Sequence, residues 1–85
     1  MRLEFTRAAE KTLHRIPTDR RRQIISQITV VAADPTSRQF DVKPLAGSDL
    51  FRLRVGQYRI LFSIDERMEV LTVQLIRTRG DVYKR

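Results

Sequence analysis

The chain has 85 residues, with 17 Lys and Arg against 10 Asp and Glu, a formal net charge of +7, one His and no Cys. This length predicts one domain, residues 1–85, with a single modest core, and the composition excludes disulfide scaffolds and cysteine-ligated metal sites. No apolar run approaches the roughly 20 residues of a membrane span. A cytoplasmic protein without a membrane partner is expected, and the cationic surplus favours polyanions.

Met1, Leu3 and Phe5 alternate with Arg2 and Glu4, the pattern of a short strand. Thr6 is placed to cap a helix with apolar positions Ala9, Leu13 and Ile16, and Pro17 ends it. Thr18 or Asp19 is expected to cap a longer helix with the stripe Ile24, Ile25, Ile28, Val31 and Ala32. Asp34-Pro35 stops that helix, because a residue before proline disfavours helical backbone. Residues 35–49 carry Pro35, Pro44, Gly47 and several Ser and Thr, and read as a loop pinned to the core by Phe40, Val42 and Leu45.

Phe51 to Phe62 reads as a hairpin. Leu53 and Val55 alternate with Arg52 and Arg54. Tyr58, Ile60, Phe62 and Ile64 oppose Arg59, Leu61 and Ser63, which puts Tyr58 in the core. Gly56-Gln57 is a two-residue loop with Gly first, the signature of a type II′ turn. After the polar turn Asp65-Glu66-Arg67, Met68–Ile76 is a third strand, rich in Val, Leu, Ile and Thr. Arg77 shares the parity of Leu75, which would aim both at the core, so the strand is expected to end or bulge before Arg77. The fold class is α+β: an N-terminal strand, a helical hairpin, then a three-stranded antiparallel meander with the helices on one sheet face.

His14 sits alone in the first helix and reads as a surface residue, and no Gly-rich phosphate loop or nucleophile elbow occurs. The informative residues are arginines. Arg52, Arg54 and Arg59 share the face opposite the core, with Arg77 and Arg79 following the last strand. Guanidinium forks bind phosphate bidentately and stack on bases. Three of them on one sheet face make sense if an anion meets them. Arg20-Arg21-Arg22 opens the second helix, either as a solvated run or as a contact to a phosphate backbone.

Leu45-Ala46-Gly47, Phe51-Arg52-Leu53-Arg54-Val55-Gly56-Gln57-Tyr58-Arg59-Ile60 and the closing Arg77-Thr78-Arg79-Gly80-Asp81-Val82-Tyr83 resemble the RelE/ParE toxin superfamily over nearly the whole chain. The resemblance implies the toxin of a type II toxin–antitoxin pair. In its RelE branch it implies a ribosome-dependent endoribonuclease that cuts mRNA in the A site. The RNA 2′-hydroxyl attacks the adjacent phosphate, with no metal or cofactor. Arg52, Arg54, Arg59, Arg77 and Tyr83 would form the catalytic set, with Arg79, Arg20, Arg21, Arg22 and Lys84 holding RNA. The partners implied are mRNA on the ribosome and a cognate antitoxin whose acidic tail or helix covers the basic face. RelE-type sites often carry Lys where this chain has Arg52 and Arg54, so the resemblance names no proton acceptor there. The ParE branch shares the fold and poisons DNA gyrase without cutting RNA, and it stands as the alternative.

Overall fold

The computed structural model describes residues 1–78. The elements run β1 (Arg2–Phe5), α1 (Arg7–Arg15), α2 (Thr18–Ala33), β2 (Val42–Pro44), β3 (Phe51–Val55), β4 (Tyr58–Asp65) and β5 (Val70–Thr78). They form one sheet in the order β1-β5-β4-β3-β2. The expected α+β class and the β3–β4–β5 meander are present. Two features extend it: β1 joins β5 in parallel, and the short β2, inside the segment read as a loop, pairs antiparallel with β3.

The Thr6 hydroxyl caps α1 as its position predicts, accepting the Ala9 amide at 3.1 Å. Ile16, extended before Pro17, ends that helix. Helix α2 differs from expectation at its start. Thr18 is already helical, Pro17 stands at the cap position, and no side chain caps the helix. Proline there leaves no amide to satisfy and has a φ suited to entering a helix. Ile24, Ile28, Val31 and Ala32 are buried, whereas Ile25 is 38 % exposed. The buried stripe is therefore narrower than the apolar pattern.

Both helices pack on one face of the sheet, against Leu53, Val55, Tyr58, Ile60, Phe62, Leu71, Val73 and Ile76. Tyr58 is in this core, with Phe40 and Val42 packed at its margin. Leu45 is half-buried but lies outside the core cluster. The β3–β4 turn has Gly56 at φ +58° with Gln57 at negative φ, as a type II′ turn requires.

The last strand begins and ends two residues later than Met68–Ile76, and Met68 is 65 % exposed. Its register slips once. Leu61 pairs with Leu75 and Phe62 with Val73, so Gln74 is an extra residue, a β-bulge. The Gln74 carbonyl accepts the Thr6 hydroxyl at 2.7 Å, and the Val73 carbonyl accepts the Thr6 amide at 3.0 Å. Thr6 therefore joins the α1 cap to the bulge. An extra residue inverts the alternation beyond it. Val73 and Ile76 face the helices, while Leu75 and Arg77 share the helix-free face of their partners Leu61 and Arg59. The expected bulge is present, and Leu75 is turned out with Arg77 rather than into the core.

Candidate functional site

The helix-free face carries a row of arginines across three strands. Arg54 on β3 is in register with Arg59 on β4, and Arg59 with Arg77 on β5. The Arg54 amide donates outward to the Asp41 carbonyl at 3.0 Å. Arg54 and Arg59 are therefore the non-hydrogen-bonded kind of pair, with Cα atoms about 4.5 Å apart and side chains close. Arg54 and Arg77 are exposed and Arg59 is half-buried between them. Among the described residues no carboxylate pairs with any of the three. Asp65, the carboxylate at the far end of β4, lies in register with Val70, away from the row.

Arg52 occupies the same face one step away but in a different state. Its Nη2 lies 3.2 Å from Asp41 Oδ1, and only 15 % of its side chain is exposed. Its charge is already matched, so it frames the site, whereas the row beside it has no carboxylate partner among the described residues. Asp41 thus holds Arg52 through its side chain and Arg54 through its backbone. Lys43, in register with Arg52 on β2 and exposed, adds a cation that the sequence reading missed. The available signal was Asp41-Val42-Lys43, a polar–apolar–polar triplet with Val42 inward.

The three consecutive arginines of α2 separate. Arg21 donates from Nη2 to the Ile16 carbonyl at 3.1 Å, closing the corner between the helices. This gives Arg21 a structural use at the helix corner. Arg20 donates to Gln23, and its Nη1 would stand 3.7 Å from a Cβ built on Gly56, so it lies over the hairpin turn at the arginine-row end of the sheet. Arg22 is exposed. His14 is exposed on α1, away from the row. Arg79, Tyr83 and Lys84 lie outside the described residues.

Three guanidinium groups in line can hold the non-bridging oxygens of a phosphate and oppose charge that grows there. Toward the other end of the sheet, Val42, Pro44, Phe51, Phe62 and Ile64 line a groove of about 350 Å³ together with Pro35, Thr36, Ser37, Arg38 and Glu66. Phe51 and Phe62 stack within it at 5.6 Å. No helix among the described residues is long and apolar enough to cross a membrane, and no group of His, Asp and Glu there could hold a metal ion.

The model of a family described as the ParE toxin of the type II toxin–antitoxin system parDE matches residues 3–83. No curated protein matches. Among solved structures, a chain of the archaeal RelE–RelB complex from Pyrococcus horikoshii OT3 superposes with a TM-score of 0.80 at 28 % identity, over 93 % of this chain and 94 % of that one. The isolated E. coli RelE toxin gives a TM-score of 0.76 at 21 % identity, over 96 % and 89 %. The YoeB/ParE toxin from Agrobacterium tumefaciens gives 0.78 at 18 %, over 92 % and 98 %. The last two are likenesses of fold.

Proposed function

Because this chain belongs to the ParE toxin family of type II toxin–antitoxin systems, within the RelE/ParE superfamily, we propose that it is a ribosome-dependent endoribonuclease that cleaves mRNA in the A site and is silenced by a RelB-type antitoxin. The observation that carries this reading is the row Arg54–Arg59–Arg77, three cross-strand cations without a carboxylate partner among the described residues. Like charges in register cost stability, and an RNA phosphate on the row would relieve that cost.

In this reading the 2′-hydroxyl oxygen of one nucleotide attacks the phosphorus of its own 3′-phosphate. The bond to the 5′-oxygen of the next nucleotide breaks, leaving a 2′,3′-cyclic phosphate and a 5′-hydroxyl. Arg59, central and half-buried, holds a non-bridging oxygen as charge develops. Arg54 and Arg77 grip from either side, and Arg52, fixed by Asp41, sets the wall. Guanidinium stays charged near neutral pH, so these groups stabilise charge and do not accept the proton. Tyr83 is the remaining acid–base candidate of the catalytic set, its hydroxyl for proton transfer and its ring for stacking on a base. The antitoxin seats an apolar segment in the Phe51–Phe62 groove and lays acidic residues over the arginines.

A second reading has one observation of its own. Among the described residues the arginine row has no His beside it, and Asp41, the nearby carboxylate, is engaged by Arg52. A row without a free proton acceptor suits a toxin that only binds, as in gyrase poisoning. The deciding experiment is induction in cells, with mRNA 5′ ends mapped and gyrase-dependent DNA breaks assayed in parallel. New 5′ ends within codons support the nuclease; DNA breaks without them establish the gyrase reading.

A further inference from the structure

The helix-free face continues beyond the arginine row in an ordered way. Next along β4 and β5 come Leu61 and Leu75, in register. Beyond them Gln74 and Ser63 meet, with Gln74 Nε2 donating to Ser63 Oγ at 3.0 Å. Gln74 is the bulged residue, and its carbonyl is locked by the Thr6 hydroxyl that also caps α1. A bulge anchored from two elements is a built feature, and bulges recur beside active sites, where they re-aim a side chain.

We propose that Gln74 and Ser63 read the edge of one unpaired base, adenine by preference, in the RNA strand whose phosphate lies on Arg54, Arg59 and Arg77. This rests on the RNA-cleaving reading of that row. Three features support it. The order of the face, from phosphate-binding cations through an apolar strip to an amide and a hydroxyl, follows the order of a nucleotide from its phosphate to the polar edge of its base. The spacing is suitable: Gln74 is three residues from Arg77, about 10 Å at the rise of a strand. The chemistry also fits. With one Nε2 hydrogen given to Ser63, the amide keeps a second N–H and its Oε1, a donor and an acceptor side by side. A glutamine amide pairs bidentately with adenine N6 and N7, and unpaired RNA bases offer these edges freely. Ser63 holds the amide in the orientation that presents both atoms.

The test measures binding of hexameric oligo-A, oligo-U and oligo-C ribonucleotides to the free full-length protein, wild type against Gln74→Ala and Ser63→Ala. Thermal unfolding controls for folding, and mRNA 5′ ends are mapped in cells. Wild type is expected to prefer oligo-A by roughly tenfold, the discrimination of one good bidentate pair. Gln74→Ala is expected to erase that preference, bringing oligo-A affinity down to that for oligo-U, and Ser63→Ala to weaken it. A merely structural hydrogen bond would change stability and leave the ratio between bases alone. Equal binding of all three oligomers by wild type, or a preference that survives Gln74→Ala, overturns the proposal. A preference that depends on Gln74 in a protein producing no mRNA ends upholds base reading and removes cleavage.

Discussion

The arginine row makes an opposed pair of expectations for one substitution. Arg59→Gln keeps most of the side chain's length and removes its charge. Arg59 faces Arg54 on one side and Arg77 on the other. Like charges directly opposite on a sheet destabilise by about 0.2–1 kcal/mol for each pair, so removing the central charge relieves two such terms, about 0.4–2 kcal/mol. Lost packing of the arginine stem offsets part of this, leaving a net gain of about 0.2–1 kcal/mol. For a domain of this size that raises Tm by roughly 1–8 °C. The gain should shrink in 1 M salt, where the screening length of about 3 Å is shorter than the pair spacing. Single-turnover cleavage on programmed ribosomes should fall by about 10²–10³, the usual effect of losing one donor to developing charge. Thermal unfolding at low and high salt is the stability assay. A variant that is less stable at low salt and still cuts at the wild-type rate would refute the reasoning, since the row would then be neither frustrated nor functional.

Three further outcomes follow from the same geometry. Thr6→Val removes a hydroxyl that caps α1 and satisfies the bulge carbonyl; a lost cap costs about 0.5–2 kcal/mol and a stranded carbonyl about 1–3, so denaturant unfolding should show a loss of about 2–4 kcal/mol, with Thr6→Ser close to wild type. Gly56→Ala forces a side chain into φ +58° and should cost about 1–2 kcal/mol by the same measurement, with Gly56→Asn milder; the space itself is adequate, since the new Cβ would meet Arg20 at 3.7 Å. Arg54→Gln should weaken RNA binding and lower the slope of log K against log salt by about 0.7, one phosphate contact on a single strand, as measured by titration at several salt concentrations.

The hairpin was legible in the sequence because β3 and β4 have one buried face each and a turn that only Gly-first loops favour. Once Tyr58, Ile60 and Phe62 point inward, Arg59 must point out, and the row's first two members follow. The short β2 was not legible. It spans Val42–Pro44, and proline argues against a central strand while being tolerated at an edge. Ile25 was misplaced because apolar character at i+1 beside Ile24 widens a predicted stripe without saying how wide the opposing surface is. The matched charge on Arg52 was hidden for a related reason: Asp41 comes from β2's approach, and a contact between residues 41 and 52 needs the strand pairing that sequence periodicity did not show.

Arg77 illustrates how narrow the assembly of the site is. In an unbroken β5, Arg77 would share a face with Val73, which is fully buried. A guanidinium there would lose hydration with no carboxylate to meet it, a cost of several kcal/mol. The single extra residue at Gln74 removes that conflict and places the third cation beside Arg59. The bulge in turn depends on Thr6, sixty-eight residues earlier in the chain, for its carbonyl's partner. Thus the cap of the first helix and the parity of the row's third arginine are one structural decision. On the RNA-cleaving reading the bulge serves the site as well as the core, since without it the chain would not carry three guanidinium groups in line across β3, β4 and β5.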